Sequence, residues 1–241
     1  MLVLFASEIA GCIGKNQYKT VVESMKNVLE RNGFLAPPIN NRKRLENLDL
    51  ISTVEDIVNQ GTMYSSQVVL EESLKVAVET ALKKSVGVKV SAVDLVKDMV
   101  KEIHCTKGTV AETPAIDAYQ EKVGHKILER NTKLYTKKID WQTKLCGRVD
   151  GRTVDGKVIE VKNRQYRFFD RVPDYERVQI MSYMYLTDSA EADLVQVFRG
   201  ESRTMSVPFD PNFWSECVKG LERFSADYHS RVTAGHEDLY L

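Results

Sequence analysis

The stretch Gly147-Arg148-Val149-Asp150-Gly151-Arg152-Thr153-Val154-Asp155-Gly156-Lys157-Val158-Ile159-Glu160-Val161-Lys162-Asn163 decides how this chain folds. Asp155-Gly156 is a strong two-residue hairpin turn, because both positions tolerate positive φ. Folding about it pairs Val154 with Lys157 and sets Gly151 opposite Glu160. Asp150 and Glu160 then lie on neighbouring strands, within side-chain reach of a shared ion. Strand period two puts Glu160 and Lys162 on one face and turns Ile159 and Val161 toward the core. An acidic-x-Lys tripeptide alone says little, since about three arise by chance in this composition. By itself it reads as an exposed, ion-paired strand. The Asp ten residues upstream, the Gly-Arg-Val lead-in and the turn shift the balance. Charges flanking a buried-type Val are costly without partners or a metal.

Outward from this hairpin, short alternating runs predict strands at 133–139, 145–151, 157–163, 193–198 and 203–208. A helix separates the third from the fourth. Asp170 and Pro173-Asp174 suit its N-terminus, and Val178 to Tyr185 continues it. Asp210-Pro211 opens a last helix with Trp214, Val218, Leu221 and Phe224 as its buried stripe. With a helix at 110–123, the order from Glu112 is α-β-β-β-α-β-β-α. Three strands joined by short turns should be antiparallel, and the helix lets the fourth enter parallel, giving a mixed sheet. The N-terminal half reads as helices at 21–29, 45–58, 68–86 and a segment opened by a capping box, Ser91 with Asp94. Pro37-Pro38 to Arg44 is the best exposed connection, and the pattern changes near Lys107-Gly108.

The 241 residues are 43% hydrophobic, enough for a real core and against overall disorder. No apolar run approaches the roughly 18 residues of a membrane span. Met1 to Phe5 lacks a basic lead and is cut short by Glu8, a poor signal peptide. Four scattered cysteines without a CxxC pair suggest reduced thiols in an intracellular protein. Net charge is zero, yet Lys126–Arg171 holds 13 basic and 6 acidic residues, while Asp188–Leu241 holds 5 and 10. The basic block suits a polyanion, or equally a solvated surface balanced by an acidic neighbour.

The hairpin resembles the PD-(D/E)XK nuclease superfamily, closest to its lambda exonuclease-like branch of YqaJ-type viral recombinases. Asp150 fits the metal aspartate and Glu160-Val161-Lys162 the E-x-K strand. Lys107-Gly-Thr-Val-Ala-Glu112 through Ala115 and Tyr119 to Gly124 is similar to the branch's carboxylate-bearing helix. Val178-Gln179 to Thr187 is similar to its glutamine helix, and Phe5-Ala-Ser7-Glu8-Ile9-Ala10-Gly11 to Gly14 to its N-terminal signature. The likeness spans the termini of the domain and 107–198, and leaves residues 38–105 unmatched.

The resemblance implies an α/β fold with a restriction-endonuclease-like core, a mixed sheet flanked by helices. It implies one nuclease domain over 1–241, with a helical N-terminal part and insert at about 16–105 and a catalytic core at about 107–210. The implied activity is a Mg²⁺- or Mn²⁺-dependent 5′→3′ exonuclease on duplex DNA ends, serving recombination, repair or replication. Two ions would be held by Glu112, Asp150, Glu160 and the carbonyl of Val161, an oxygen-rich set. Lys162 would orient or deprotonate the attacking water, and Gln179 would contact the phosphate or steady Lys162. A plain exposed helix residue is the other reading of Gln179. Ser7 would cradle the 5′-phosphate, or simply cap the first helix. The family's upstream Arg has no room here, so Lys15, Lys19 or Arg164 would take its place, with Arg167 on the DNA backbone. Apart from the resemblance, Tyr166, Phe168 and Phe169 beside Arg164, Arg167 and Arg171 could stack on unpaired bases, and Phe168 and Phe169 read equally as core. Implied partners are duplex ends, a single-strand annealing protein and copies of the chain in a ring-shaped trimer; no membrane is implied. A virus-encoded enzyme would work in the host cytoplasm or nucleus.

Other readings are weaker. Gly11-Cys-Ile-Gly14-Lys15-Asn16 lacks the Gly and Ser/Thr of a P-loop, and the histidines lack zinc spacing. A restriction-like endonuclease on the same core, or a non-catalytic DNA-binding relative, stand as the alternatives.

Overall fold

The computed structural model describes residues 1–35, 41–60, 64, 66–84 and 90–234. The chain is mixed α/β and divides into two compact units, 1–37 with 115–162 and 168–241, and 38–114 with 163–167.

The first unit holds two sheets. β1 (Leu2–Phe5), β4 (Thr143–Gly147) and β3 (Tyr135–Lys138) form one, in the order β1-β4-β3. β1 runs parallel to β4, with Leu2 opposite Thr143 and Phe5 opposite Cys146, and β3 runs antiparallel to β4. The apolar N-terminus is therefore a core strand, its Leu2 and Leu4 buried at period two. The second sheet takes the order β2 (Ile127–Leu128), β5 (Gly151–Thr153), β6 (Val158–Asn163), β7 (Glu191–Phe198) and β8 (Glu201–Pro208). Lys157, at the head of β6, pairs with Glu191 and Asp193 at the head of β7. Neighbouring β6 and β7 therefore start together and run the same way, as the intervening helix α7 (Asp174–Thr187) requires.

The expected strand at 145–151 is not one strand. It breaks at Arg148-Val149-Asp150, and its halves enter different sheets as β4 and β5. Val149 is buried, and its carbonyl accepts the Asn131 N–H at 3.0 Å, so the break is anchored. The hairpin also differs. Gly151 faces Ile159 and Arg152 faces Val158, one residue from the expected register. Thr153 N–H donates to the Lys157 carbonyl, and Gly156 N–H donates to that of Thr153, closing a three-residue loop, Val154-Asp155-Gly156. Gly156 at φ 93° takes the left-handed third position that such loops give to glycine.

Helices α1 (Ile9–Cys12), α2 (Val21–Arg31), α7 and α8 (Pro211–Ala234) share a core with these sheets through Ile9, Leu29, Met181, Met184, Leu221 and Phe224. Ser7 does not cap α1; that place belongs to Glu8, without a side-chain bond. A full capping box stands instead at Thr20–Glu23 on α2. Pro173, not Asp170, caps α7. Asp210 caps α8 as expected, accepting the Asn212 and Phe213 N–H groups at 3.0 Å.

The second unit is helical. α3 (Asn41–Asn47), α4 (Ile51–Asn59), α5 (Gln67–Lys84) and the first part of α6 (Ala92–Val123) bury Leu45, Val54, Leu74, Leu95, Met99 and Ile103. The helix expected at 45–58 is two, separated at Asp49, whose φ is 54°. No break follows Gly108: the two expected helices are a single 32-residue α6 that runs through Pro114. The expected ends at Pro37–Asn40 and Val86 lie outside the described residues.

Candidate active site

Val158, Glu160 and Lys162 alternate along β6 with Ile159 and Val161. Ile159 and Val161 pack with Ala115, Ile116 and Tyr119 of α6 and with Val195 of β7. Val158 joins the core that α7 covers. β6 is thus covered on both faces, and Glu160 is only 1% exposed. A carboxylate there is stable only beside a counter-charge or a metal.

Lys162 supplies the counter-charge. Its Nζ donates to Glu160 Oε1 at 2.6 Å and to Gln179 Oε1 at 3.1 Å. Gln179 Nε2 donates in turn to the Tyr183 hydroxyl at 3.1 Å. Gln179 and Tyr183 sit one turn apart on α7, a helix buried on nearly every side, so the glutamine's position is fixed by packing. Tyr183 fits because Gly147 has no side chain: a Cβ there would stand 2.8 Å from the tyrosine ring and 3.1 Å from Ala6 Cβ. Burial alone would push the Lys162 ammonium down. The field and hydrogen bond of Glu160, with Asp150 and Glu176 behind them, outweigh it and hold the lysine above its ordinary value.

Asp150 sits in the break between β4 and β5. Its Oδ2 accepts the Val161 N–H at 2.8 Å, which brings it beside Glu160 and Val161 as the observed register requires. Asp150, Glu160, Lys162 and Gln179 are thereby one cluster within the first unit. Sequence reasoning missed two members. Glu176, 2% exposed, lies in the first turn of α7 and contributes to the field on Lys162. Tyr183 orients Gln179. The i, i+3 and i, i+4 spacings of Glu176 and Tyr183 from Gln179 carried that signal.

The other expected site residues are distributed. Glu112 is half-buried on the stretch of α6 that belongs to the second unit. Ser7 is exposed just past β1, beside the end of β4, where the Ala6 N–H donates to the Cys146 carbonyl at 2.8 Å. Lys15 is half-buried with its ammonium 5.0 Å from the Phe213 ring centre, and Lys19 is half-buried on the loop before α2. Arg164 and Arg167 belong to the second unit. Arg167 is exposed, but Arg164 is 8% exposed and does not offer its guanidinium to a DNA backbone. Arg31 reaches the N-terminal signature from α2, binding both oxygens of Glu8 at 2.6 and 2.9 Å and the Val3 carbonyl at 2.7 Å.

Among the described residues no group of three or more His, Cys, Asp or Glu side chains is gathered for a metal. The oxygens of Asp150 and Glu160, with the Val161 carbonyl, still suit Mg²⁺, which is commonly held by one or two carboxylates plus water and phosphate.

No protein-family model and no curated protein sequence matches the chain. Among solved structures, the alkaline exonuclease LHK-Exo from Laribacter hongkongensis is similar, with a TM-score of 0.55 at 12% identity over 96% of this chain and 90% of that one. Its complex with dAMP aligns equally well. A phage-related exonuclease from Haemophilus somnus 129PT aligns more loosely, with a TM-score of 0.43 at 13% identity over 76% of this chain and 93% of that one. The likeness to LHK-Exo establishes the fold, which is the mixed α/β nuclease fold that the sequence motifs resemble.

Proposed function

We propose that the protein is a metal-dependent deoxyribonuclease that degrades duplex DNA from its ends. The observation that carries this is the buried ion pair of Glu160 and Lys162, with Asp150 against the same strand and Gln179 on the lysine. Two carboxylates and a lysine converging at a hairpin mouth suit phosphodiester hydrolysis, which needs an activated water, neutralised phosphate charge and help for the leaving oxygen. When bound, Mg²⁺ or Mn²⁺ supplies Lewis acidity and a more acidic water. Asp150, Glu160 and the Val161 carbonyl would hold it.

Lys162 keeps its charge in this arrangement, so it serves first to orient the water and offset the phosphate. It becomes a competent base only when the field of the two carboxylates is neutralised. Gln179 and Tyr183 hold the ammonium in place. Ser7, Lys15, Lys19 and the exposed Arg167 are the candidate contacts to the DNA phosphates. The exonuclease named in the similar structures supports action on DNA ends. The motif resemblance supports 5′→3′ polarity and a role in recombination or repair, and the four free cysteines support an intracellular site of action. No helix among the described residues is long and apolar enough to cross a membrane.

The test is nucleotide release from linear duplex labelled at the 5′ or 3′ end, with Mg²⁺, by the natural protein and by Glu160→Gln. Early loss of the 5′ label, abolished in the variant, supports the proposal. Equal activity of the variant would refute the site.

A further inference from the structure

The loop after β6 carries Phe168 and Phe169, and the β7–β8 turn carries Phe198 and Arg199. Phe169 is clamped by its main chain: its N–H donates to Gln196 Oε1 and its carbonyl accepts from Gln196 Nε2, both at 2.9 Å. Gln196 is fully buried, so this part of the loop is fixed to β7. Phe168 is thereby set edge-on against Phe198, with ring centres 5.7 Å apart and planes at 81°. Each ring carries an arginine. The Arg203 guanidinium lies 4.3 Å from the centre of Phe168, and that of Arg199 lies 5.1 Å from the centre of Phe198. Both arginines are exposed, and among the described residues neither has an ion-pair partner.

The turn adds a second observation. Phe198 faces Glu201, leaving Arg199-Gly200 as a two-residue loop with φ of 52° and 80°. Such a turn is normally filled by Asn, Asp or Gly at its first position. An arginine held there is a local cost that the hairpin does not need for its own closure. Because β6 and β7 run the same way, Phe198 at the end of β7 and Lys162 near the end of β6 are at the same end of the sheet.

We propose that Arg203 on Phe168 and Arg199 on Phe198 form a two-step platform for single-stranded DNA. The inference rests on the nuclease reading and names the form of substrate this end of the sheet receives. Each guanidinium, backed by its aromatic ring, offers one cationic face to an unpaired base of any sequence, and the charges meet the flanking phosphates; the 81° between the rings suits two bases unstacked from each other. Duplex DNA, whose bases are already stacked, gains only the charge contribution.

The experiment measures binding of a fluorescent oligothymidylate of about 15 nucleotides, within the range one binding fold covers. It is run in chelator, so that cleavage plays no part, and repeated with blunt duplex. The proteins are the natural chain, Arg203→Ala and Arg199→Gly, each with its thermal midpoint. Each variant is expected to lose affinity for the oligonucleotide about tenfold, and to lose less for the duplex. Arg199→Gly is expected to melt no lower than the natural protein, because glycine relieves the positive φ. Unchanged oligonucleotide affinity in both variants, or lower melting without loss of affinity, would overturn the platform and make the arginines mere covers for the rings. Duplex digestion by a natural protein that does not bind the oligonucleotide would overturn the platform and leave the nuclease reading standing. Arginine-dependent oligonucleotide binding without cleavage under Mg²⁺ would do the reverse.

Discussion

The carboxylate of Asp150 accepts the main-chain N–H of Val161 at 2.8 Å, across the turn that joins β5 to β6. This bond ties a residue in a break between two sheets to the strand that carries Glu160 and Lys162. It supports the break at Arg148-Val149-Asp150 by giving the Val161 N–H a side-chain acceptor where β4 and β5 part.

Glu160→Gln and Asp150→Asn should each abolish cleavage while DNA binding persists. Both keep the side-chain shape and remove a charge, and losing metal-centred charge stabilisation should cost on the order of 10³-fold or more. Single-turnover rates with Mg²⁺ are the measure; rates within a few-fold of the natural protein would remove these residues from the chemistry.

Lys162→Ala should be nearly inactive and Lys162→Arg badly impaired, because the ammonium fits between Glu160 and Gln179 and a planar guanidinium does not. Tyr183→Phe deletes only the hydroxyl that receives the Gln179 hydrogen bond. Its kcat should fall about fivefold with KM unchanged, the signature of a positioning residue. A rise in KM alone would place Tyr183 in substrate binding instead.

Gly147→Ala places a methyl against the ring of Tyr183 and against Ala6. Overpacking of this kind should lower stability by about 1–3 kcal/mol, read from the urea midpoint, and should lower kcat by moving Tyr183. A variant as stable as the natural protein would show that the ring can move aside without cost.

Duplex binding should depend strongly on salt in spite of zero net charge. Each phosphate neutralised contributes about −0.9 to the slope of log K against log salt, and a slope of about −3 to −6 is expected. The structure narrows which cations contribute. Lys137 is committed to Asp188 and to the Tyr185 carbonyl, and Arg164 is buried. Arg148 and Arg171 are exposed within the first unit, and replacing both by Ala should flatten the slope by about 2. An unchanged slope with a lowered melting temperature would mean that they serve the fold.

Much of this was legible in the sequence because its signals are local. The alternation around Glu160-Val161-Lys162, the glutamine of α7 and the Asp210-Pro211 start of α8 are written in consecutive residues. What could not be read is set by contacts distant in the chain. β1 is a strand because β4, some 140 residues later, offers a parallel edge. The split of 145–151 depends on β2 and β5 meeting, and the register of the hairpin on one extra residue in its loop. The change of pattern at Lys107-Gly108 looks like a break between helices, yet α6 runs through it. In the site, Glu176 was hidden because an acidic residue in a first helical turn is ordinarily a solvated one. Its burial is apparent only once α7 is seen packed on all sides.

Metal-dependent action from DNA ends is tested with one plasmid in two forms, covalently closed and linearised, incubated with the protein and Mg²⁺. The linear form should be degraded and the closed circle left intact; chelator should stop the reaction, and Ca²⁺, larger and content with a looser shell, should not restore it. Degradation of the closed circle would contradict action from ends, and degradation of the linear form in the presence of strong chelator would contradict the metal-dependent site at Asp150 and Glu160.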